Sequence, residues 1–144
     1  MNLTIEPTRD IATCHRLRRL VFIEEQGISL QDEIDGRDAE ALHLLARWNG
    51  RPVGTARILL AADHGKIGRV CVLADARNRG IGAALIRAAL DRLRQEPGIT
   101  TARLGAQIHA LDFYAALGFT AEGPEYLDAG IPHRDMTCVL RPEP

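Results

Sequence analysis

The most informative segment of this chain is residues 66–85, which joins an apolar stretch to a glycine turn and then to helix-like spacing. The turn contains Arg77, Arg79, Gly80 and Gly82. Such a turn at a helix start directs backbone N–H groups and the positive end of the helix dipole to one place. Because glycine has no Cβ, a ligand can come close to the main chain there. The segment therefore predicts a phosphate or pyrophosphate site, and so a nucleotide-like cofactor.

Two familiar nucleotide-binding turns do not fit this segment. A Walker loop needs Gly-Lys followed by Ser or Thr, whereas this chain has Gly82-Ala83-Ala84. A dinucleotide fingerprint needs a third glycine and an acidic residue after the next strand. The third glycine is missing, and the next strand-like segment, Thr101 to Ala106, ends without Asp or Glu. The pattern Arg/Gln-x-x-Gly-x-Gly/Ala, here Arg77 to Gly82, fits.

Length and composition restrict the classes of protein that this chain can represent. Its 144 residues, 46% of them hydrophobic, predict one globular domain spanning residues 1–144. The formal net charge of -1 argues against a dedicated nucleic-acid binder, which needs a cationic surplus. No apolar run approaches the roughly 20 residues that span a bilayer, and Met1 leads directly into a strand-like segment, so we expect neither a membrane anchor nor a signal peptide.

The three cysteines, Cys14, Cys71 and Cys138, are dispersed and odd in number. They form no CxxC pair and no ligand spacing typical of a metal site. We therefore expect buried reduced thiols, no metal, and a cytoplasmic location.

Periodicity predicts the element order β-α-βββ-α-β-α-ββ, an α+β fold with a mostly antiparallel twisted sheet flanked by helices. The first helix is predicted with Thr8 as N-cap and an end near Glu25, and the acidic stretch Ser29 to Glu40 as a loop with at most a short helical turn. Asn49-Gly50 is a hairpin signal between two strands. A loop is predicted around His133 before the last strand.

This order, with the glycine turn between the fourth strand and the long helix, resembles that of the GNAT acetyltransferase superfamily. A second segment, from Gln107 through Ala110, Phe113 and Tyr114 to Gly118-Phe119, resembles the superfamily's Asn-x-x-Ala-x-x-Phe-Tyr motif followed by Gly-Phe. The flanking segments are similar to those of the ElaA-like subgroup. They are Val21-Phe22-Ile23-Glu24-Glu25-Gln26-Gly27, Asp32-Glu33-Ile34-Asp35, His43-Leu44 and Ala129-Gly130-Ile131-Pro132-His133.

The resemblance implies acetyl-CoA as the cofactor. Its pyrophosphate would be held by the turn, namely Asn78, Gly80, Ile81, Gly82 and Ala83, with added charge from Arg77 and Arg79. Val70 and Cys71 would pair with the pantetheine arm, and the Val72 N–H would donate to the thioester oxygen. Gln107 replaces the superfamily's Asn and would contact the cofactor through its amide.

The catalytic roles implied are a general acid and a general base. Tyr114 is the candidate acid, because an ordinary tyrosine is protonated at neutral pH, although it could instead simply pack with Phe113 and Phe119. His133 is the first candidate base, because histidine ordinarily titrates near neutral pH. His109, His43, Glu25 or a water chain could serve instead, since the fourth strand offers Lys66 and Arg69 but no acid.

The acidic run Asp32, Glu33, Asp35 and Asp38, together with Glu24, Glu25 and His43 as acceptor contacts, suits a cationic amine. We therefore expect an N-acetyltransferase that moves an acetyl group directly to a primary amine of a small molecule or peptide. A non-catalytic acyl-CoA-binding module on the same fold is the alternative, and a nucleotide-binding or redox domain is a third. Exposed strand edges make a homodimer possible.

Overall fold

A computed structural model describes residues 2–140, so Met1 and residues 141–144 lie outside the described part of the chain. The strands are β1 (Leu3–Thr8), β2 (Leu42–Trp48), β3 (Arg51–Leu60), β4 (His64–Val72), β5 (Thr101–Gln107), β6 (Thr120–Asp128) and β7 (Ile131–Val139). The helices are α1 (Ile11–Arg18), α2 (Leu30–Glu33), α3 (Ile81–Arg94) and α4 (Leu111–Ala115). A π-helical segment, Arg19–Glu25, extends α1. The predicted order and the α+β class are confirmed.

The strands form one seven-stranded sheet in the order β1-β2-β3-β4-β5-β7-β6. All neighbours pair antiparallel except β4 and β5, which are parallel. The parallel pairing covers only three positions, from His64–Thr101 to Lys66–Arg103. Because both strands continue well beyond it, the sheet divides at this point and leaves a wedge between them.

Helices cover both faces of the sheet. Leu44 and Leu45 are adjacent on β2 and so point to opposite faces. Leu44 belongs to the large apolar cluster that includes the buried side of α3, whereas Leu45 packs with Leu17 of α1 and Val21. The glycine turn at the start of α3 is thereby held against one face and the π-helical segment against the other. Within residues 2–140 we find no helix long and apolar enough to cross a bilayer.

Three local expectations differ from the structure. Asp10 is the N-cap of α1, where its carboxylate accepts from the Thr13 amide at 3.2 Å, and Thr8 instead ends β1. His133 lies on strand β7, because the hairpin turn comes earlier, at Ala129 and Gly130, which both have positive φ. The helix that was predicted to run to Glu25 changes to π geometry at Arg19.

Candidate active site

The wedge between β4 and β5 exposes main-chain groups that have no strand partner. The Leu73 amide donates to the Val53 carbonyl at 2.8 Å, toward β3. Because successive amides of a strand alternate in direction, the Val72 N–H points away from β3 and toward β5. The same alternation turns the Cys71 amide toward β3, where Cys71 is paired with Thr55. Val72 therefore offers a free donor in the wedge.

A cavity of about 670 Å³, here called the turn cavity, lies beside the glycine turn. Its lining includes the following residues of the predicted cofactor set: Val70, Cys71, Val72, Arg77, Gly82 and Gln107. Residues 78–81 and Ala83 complete the turn but do not line it. A second cavity of about 530 Å³, here called the loop cavity, lies beside the acidic segment and contains Tyr114 and His133.

The two cavities share three lining residues, Gln26, Val70 and Gln107. The Gln107 side-chain amide donates to the Gln26 side-chain oxygen Oε1 at 3.3 Å, so the two side chains meet at this boundary. A group in the turn cavity and a group in the loop cavity would therefore meet beside Val70. This junction is where transfer between two bound molecules can occur.

The glycine turn has the geometry of an anion site. Asn78 has φ 63° and Gly80 has φ 75°, so the chain turns sharply before α3 begins at Ile81. The Ala84 amide donates to the Gly80 carbonyl at 3.0 Å as the first bond of the helix. The preceding amides of α3 have no acceptor inside the helix, as at any helix start. They are available to a phosphate.

Both arginines of the turn also contact protein groups. Arg77 forms a two-point ion pair with Glu25, with both N–O distances 2.6 Å, and its Nε donates to the Val72 carbonyl at 3.0 Å. This pair lowers the pKa of Glu25. The Arg79 guanidinium lies 5.1 Å from the centre of the Trp48 ring. Arg77 thus ties the turn to the π-helical segment.

The structure separates the three residues that were expected to contact the acceptor. Glu25 lines the turn cavity rather than the loop cavity, and Glu24 lines neither. His43 is buried, and its Nε2 lies 2.9 Å from the Asp38 carbonyl. It contacts the acidic segment through this Asp38 carbonyl and lines neither cavity.

Tyr114 lies on the wall of the loop cavity. Its ring makes edge-to-face contacts with Phe113 at 5.0 Å and Phe119 at 6.0 Å. Its hydroxyl has no hydrogen-bond partner among the described residues. Burial raises the pKa of Tyr114, so the phenol is protonated at neutral pH and can donate a proton.

His133 is held in one orientation at the other side of this cavity. Its Nδ1 is 2.7 Å from the Ile131 carbonyl oxygen, which can only accept a hydrogen bond. Nδ1 therefore carries the hydrogen, and Nε2 of the neutral ring keeps its lone pair. The ring also stacks on Tyr126, with 6.0 Å between centroids and 23° between planes. This tautomer is the one that a general base requires.

The acidic segment is neutralised by buried arginines, which the sequence analysis did not identify. Arg18 is 1% exposed and binds Glu33 at 2.6 Å and Asp38 at 3.0 Å. Arg57 binds Asp35 at 2.7 Å and Asp38 at 3.2 Å. The carboxylates that were expected to attract a cationic amine are thus largely occupied inside the protein. The sequence does contain a signal that could have identified these arginines, because Arg18 and Arg57 interrupt the apolar segments of α1 and β3.

These ion pairs predict acid sensitivity. The arginines hold the pKa values of Asp35 and Asp38 well below the usual range. A lowered folded-state pKa stabilises the fold above the unfolded pKa of about 3.9, and this contribution is lost as pH falls. We expect the free energy of unfolding, measured by urea titration, to decrease steeply below about pH 4. In the variant Asp35→Asn the decrease should be shallower. An equally steep decrease in that variant would contradict the assignment.

Cys71 is a packing residue in this geometry. Burial raises the pKa of its thiol to about 12, so it is a neutral thiol at pH 7. For the acyl transfer that the sequence resemblance implies, we expect Cys71→Ala to retain activity. We also expect the wild type to release CoA without a burst phase, as measured by stopped flow. A burst that disappears in the variant would instead indicate a covalent acyl-enzyme.

The splayed parallel pair, the glycine turn and the adjoining cavities are suited to a protein that brings a phosphate-bearing donor to a second molecule. Comparisons with known proteins show the family to which the chain belongs. The family model described as an acetyltransferase (GNAT) domain matches residues 20–140. The uncharacterized N-acetyltransferase YjcF of Bacillus subtilis is 35% identical over 121 residues, which cover 83% of this chain and 86% of YjcF.

Solved structures agree with that match. Escherichia coli ElaA superposes with a TM-score of 0.84 and 29% identity, covering 95% of this chain and 99% of ElaA. An acyl-CoA N-acyltransferase from Pseudomonas aeruginosa gives a TM-score of 0.83 and 31% identity, covering 95% of this chain and 98% of that one. The chain belongs to the GNAT acetyltransferase family, a family of acyl-CoA-dependent acyltransferases. The predicted resemblance, including that to ElaA, is confirmed.

Proposed function

We propose that this protein is an acetyl-CoA-dependent N-acetyltransferase that moves an acetyl group directly to a primary amine of a small molecule or peptide. The observation that carries the proposal is the junction of the two cavities at Val70 and Gln107. A thioester lying along the wedge would end there, and an amine entering through the loop cavity would reach the same place.

The turn and the wedge supply the groups that would hold the donor. The amides between Asn78 and Ala83 suit a diphosphate, since they lie at the start of α3 with a left-handed Gly80 before them. The donor supplies an activated acetyl group. The Val72 N–H points into the wedge, so it can donate to an oxygen that becomes negative during transfer.

Two side chains of the loop cavity would accept and donate protons during the transfer. His133 Nε2 has a free lone pair and would accept the proton of the incoming ammonium, directly or through one water. Tyr114 would give its phenolic proton to the departing thiolate. His109 lines the turn cavity and is the other imidazole near the junction.

Replacing His133 tests the assignment of the base. We expect His133→Gln to lower kcat/KM by about 10²–10⁴-fold and to remove the acidic limb of its pH profile. The matched control is His64→Gln, because His64 pairs with Asp63 outside both cavities and should leave the profile unchanged. A wild-type pH profile in His133→Gln would shift the role to His109 or to water.

The function itself is tested by CoA release. We expect acetyl-CoA to be consumed when amines are supplied, and thermal unfolding to shift upward with acetyl-CoA, since saturation at 100 times Kd adds about 2.7 kcal/mol. A thermal shift without consumption across an amine panel would instead indicate an acyl-CoA-binding module. A shift with NAD or ATP but not with CoA thioesters would contradict both.

A further inference from the structure

Arg69 occupies an unusual place on β4. It lies at a bulge in the pairing with β3 and has a left-handed backbone, with φ 50°. A residue other than glycine adopts that conformation at an energetic cost, and bulges next to functional sites commonly redirect a side chain. Arg69 lines the loop cavity with 23% of its side chain exposed. The strained backbone of Arg69 therefore coincides with a guanidinium that lines the loop cavity.

Its guanidinium is only partly satisfied by the protein. Nη2 donates to the Glu33 carbonyl at 2.9 Å and to the Asp32 carbonyl at 3.5 Å, and it forms a long ion pair with Asp35 at 3.4 Å. Nε is buried without a hydrogen-bond partner, since the nearest Glu33 oxygen is 3.6 Å away. Within residues 2–140, Nη1 has no partner either. Because Nε is buried and Nη2 is bonded to the protein, Nη1 is the donor group of Arg69 that is left for a ligand.

The other two arginines of this cluster differ. Arg18 and Arg57 each hold two carboxylates at 2.6–3.2 Å, closer than the 3.4 and 3.6 Å of the Arg69 contacts, and this raises their pKa values. The pKa of Arg69 is instead lowered, by burial and by repulsion from Arg57. Asp35 is already bound closely by Arg57, so it is a weak counter-ion for Arg69. A half-buried cation whose carboxylate contacts are this long favours binding of an anionic group of a ligand.

Lys66 adds a second cation to the same cavity. It is exposed on β4, three residues before Arg69, and makes no ion pair with any described residue. Two exposed carboxylates, Asp32 and Asp128, line the cavity as well, so its free charges are of both signs. A ligand that carries only positive charge would leave Lys66 without a counter-ion, and would leave Arg69 with only its long contacts to Glu33 at 3.6 Å and Asp35 at 3.4 Å.

We propose that Arg69 and Lys66 form a carboxylate subsite in the loop cavity, so that the acceptor is an amine that also carries a carboxylate, as an amino acid does. This inference rests on the proposed transferase function. Nη1 of Arg69 would donate a charge-assisted hydrogen bond to the carboxylate, with Lys66 as an added charge. The ammonium group of the acceptor would then face Asp128, His133 and the junction.

Pairs of acceptors that differ only in the carboxylate test the subsite. L-lysine with cadaverine and L-ornithine with putrescine are suitable, and each is assayed for turnover and for binding by calorimetry in the presence of CoA. We expect the carboxylate-bearing member of each pair to bind and react at least about tenfold better, because its carboxylate would accept a charge-assisted hydrogen bond. In Arg69→Gln and Lys66→Gln this preference should decrease toward unity.

Arg103→Gln is the matched control. Arg103 lies opposite Lys66 on β5 but lines neither cavity, so the same loss of charge should keep the preference. Equal or better binding of the decarboxylated amines by the wild type would overturn the subsite, as would an unchanged preference in Arg69→Gln. Because calorimetry needs no turnover, carboxylate-dependent binding without acetyl-CoA consumption would contradict the transferase function while supporting the subsite.

Discussion

Replacing Tyr114 with Phe is expected to lower kcat by about 10²–10⁴-fold, the usual range for loss of a general acid. The ring would keep its contacts with Phe113 and Phe119, so the melting temperature should change little. The lost group is a buried phenol whose raised pKa keeps it protonated. The measurement is steady-state CoA release at saturating acetyl-CoA, with circular dichroism to verify folding.

Tyr126→Phe is the matched comparison, because Tyr126 lines the same cavity but its hydroxyl donates to Asp135 at 2.7 Å. Its ring would still stack on His133, and we expect a much smaller loss of kcat than in Tyr114→Phe. Wild-type rates in Tyr114→Phe with a good acceptor would remove Tyr114 from the mechanism and leave it a packing role.

Replacing Arg18 with Met is expected to lower the free energy of unfolding by about 3–5 kcal/mol, because the buried Glu33 would lose its close partner and keep only the 3.6 Å contact with Arg69. Arg18 is 1% exposed and its Nε lies 2.6 Å from the Glu33 carboxylate. Urea denaturation monitored by circular dichroism measures the change. The double variant Arg18→Met with Glu33→Met should recover much of the loss, since both charges are then gone.

The exposed pair Arg51–Asp75 provides the control for Arg18. Its side chains are 52% and 68% exposed, so Arg51→Met should change stability by no more than about 1 kcal/mol. A similarly small effect of Arg18→Met would show that the buried cluster does not anchor the acidic segment. Loss of acceptor binding in folded Arg18→Met protein would agree with that segment forming the cavity wall.

The features predicted correctly from sequence are those that depend on residues close together along the chain. Gly80 and Gly82 mark a turn between a strand and a helix, and Asn49-Gly50 marks a hairpin, because each requires particular backbone angles. The order of elements followed from hydrophobic periodicity. These local signals placed the predicted pyrophosphate turn directly beside a cavity.

Features that depend on distant contacts were missed. Asp38 is bound by Arg18 and Arg57, which are 20 and 19 residues away along the chain. Sequence spacing does not reveal such pairs, so the acidic run was interpreted as a free surface. The bulge that turns Arg69 toward the cavity depends on the β3–β4 register, which only the folded sheet defines.

A crystal structure of the protein with acetyl-CoA tests the central claim most directly. We predict that the diphosphate oxygens lie within hydrogen-bond distance, about 2.7–3.2 Å, of amides between Asn78 and Ala83. The thioester oxygen should lie equally close to the Val72 amide, with the sulfur on the side of Tyr114. A coenzyme bound elsewhere, or a turn cavity closed to it by Arg77 and Glu25, would contradict the account.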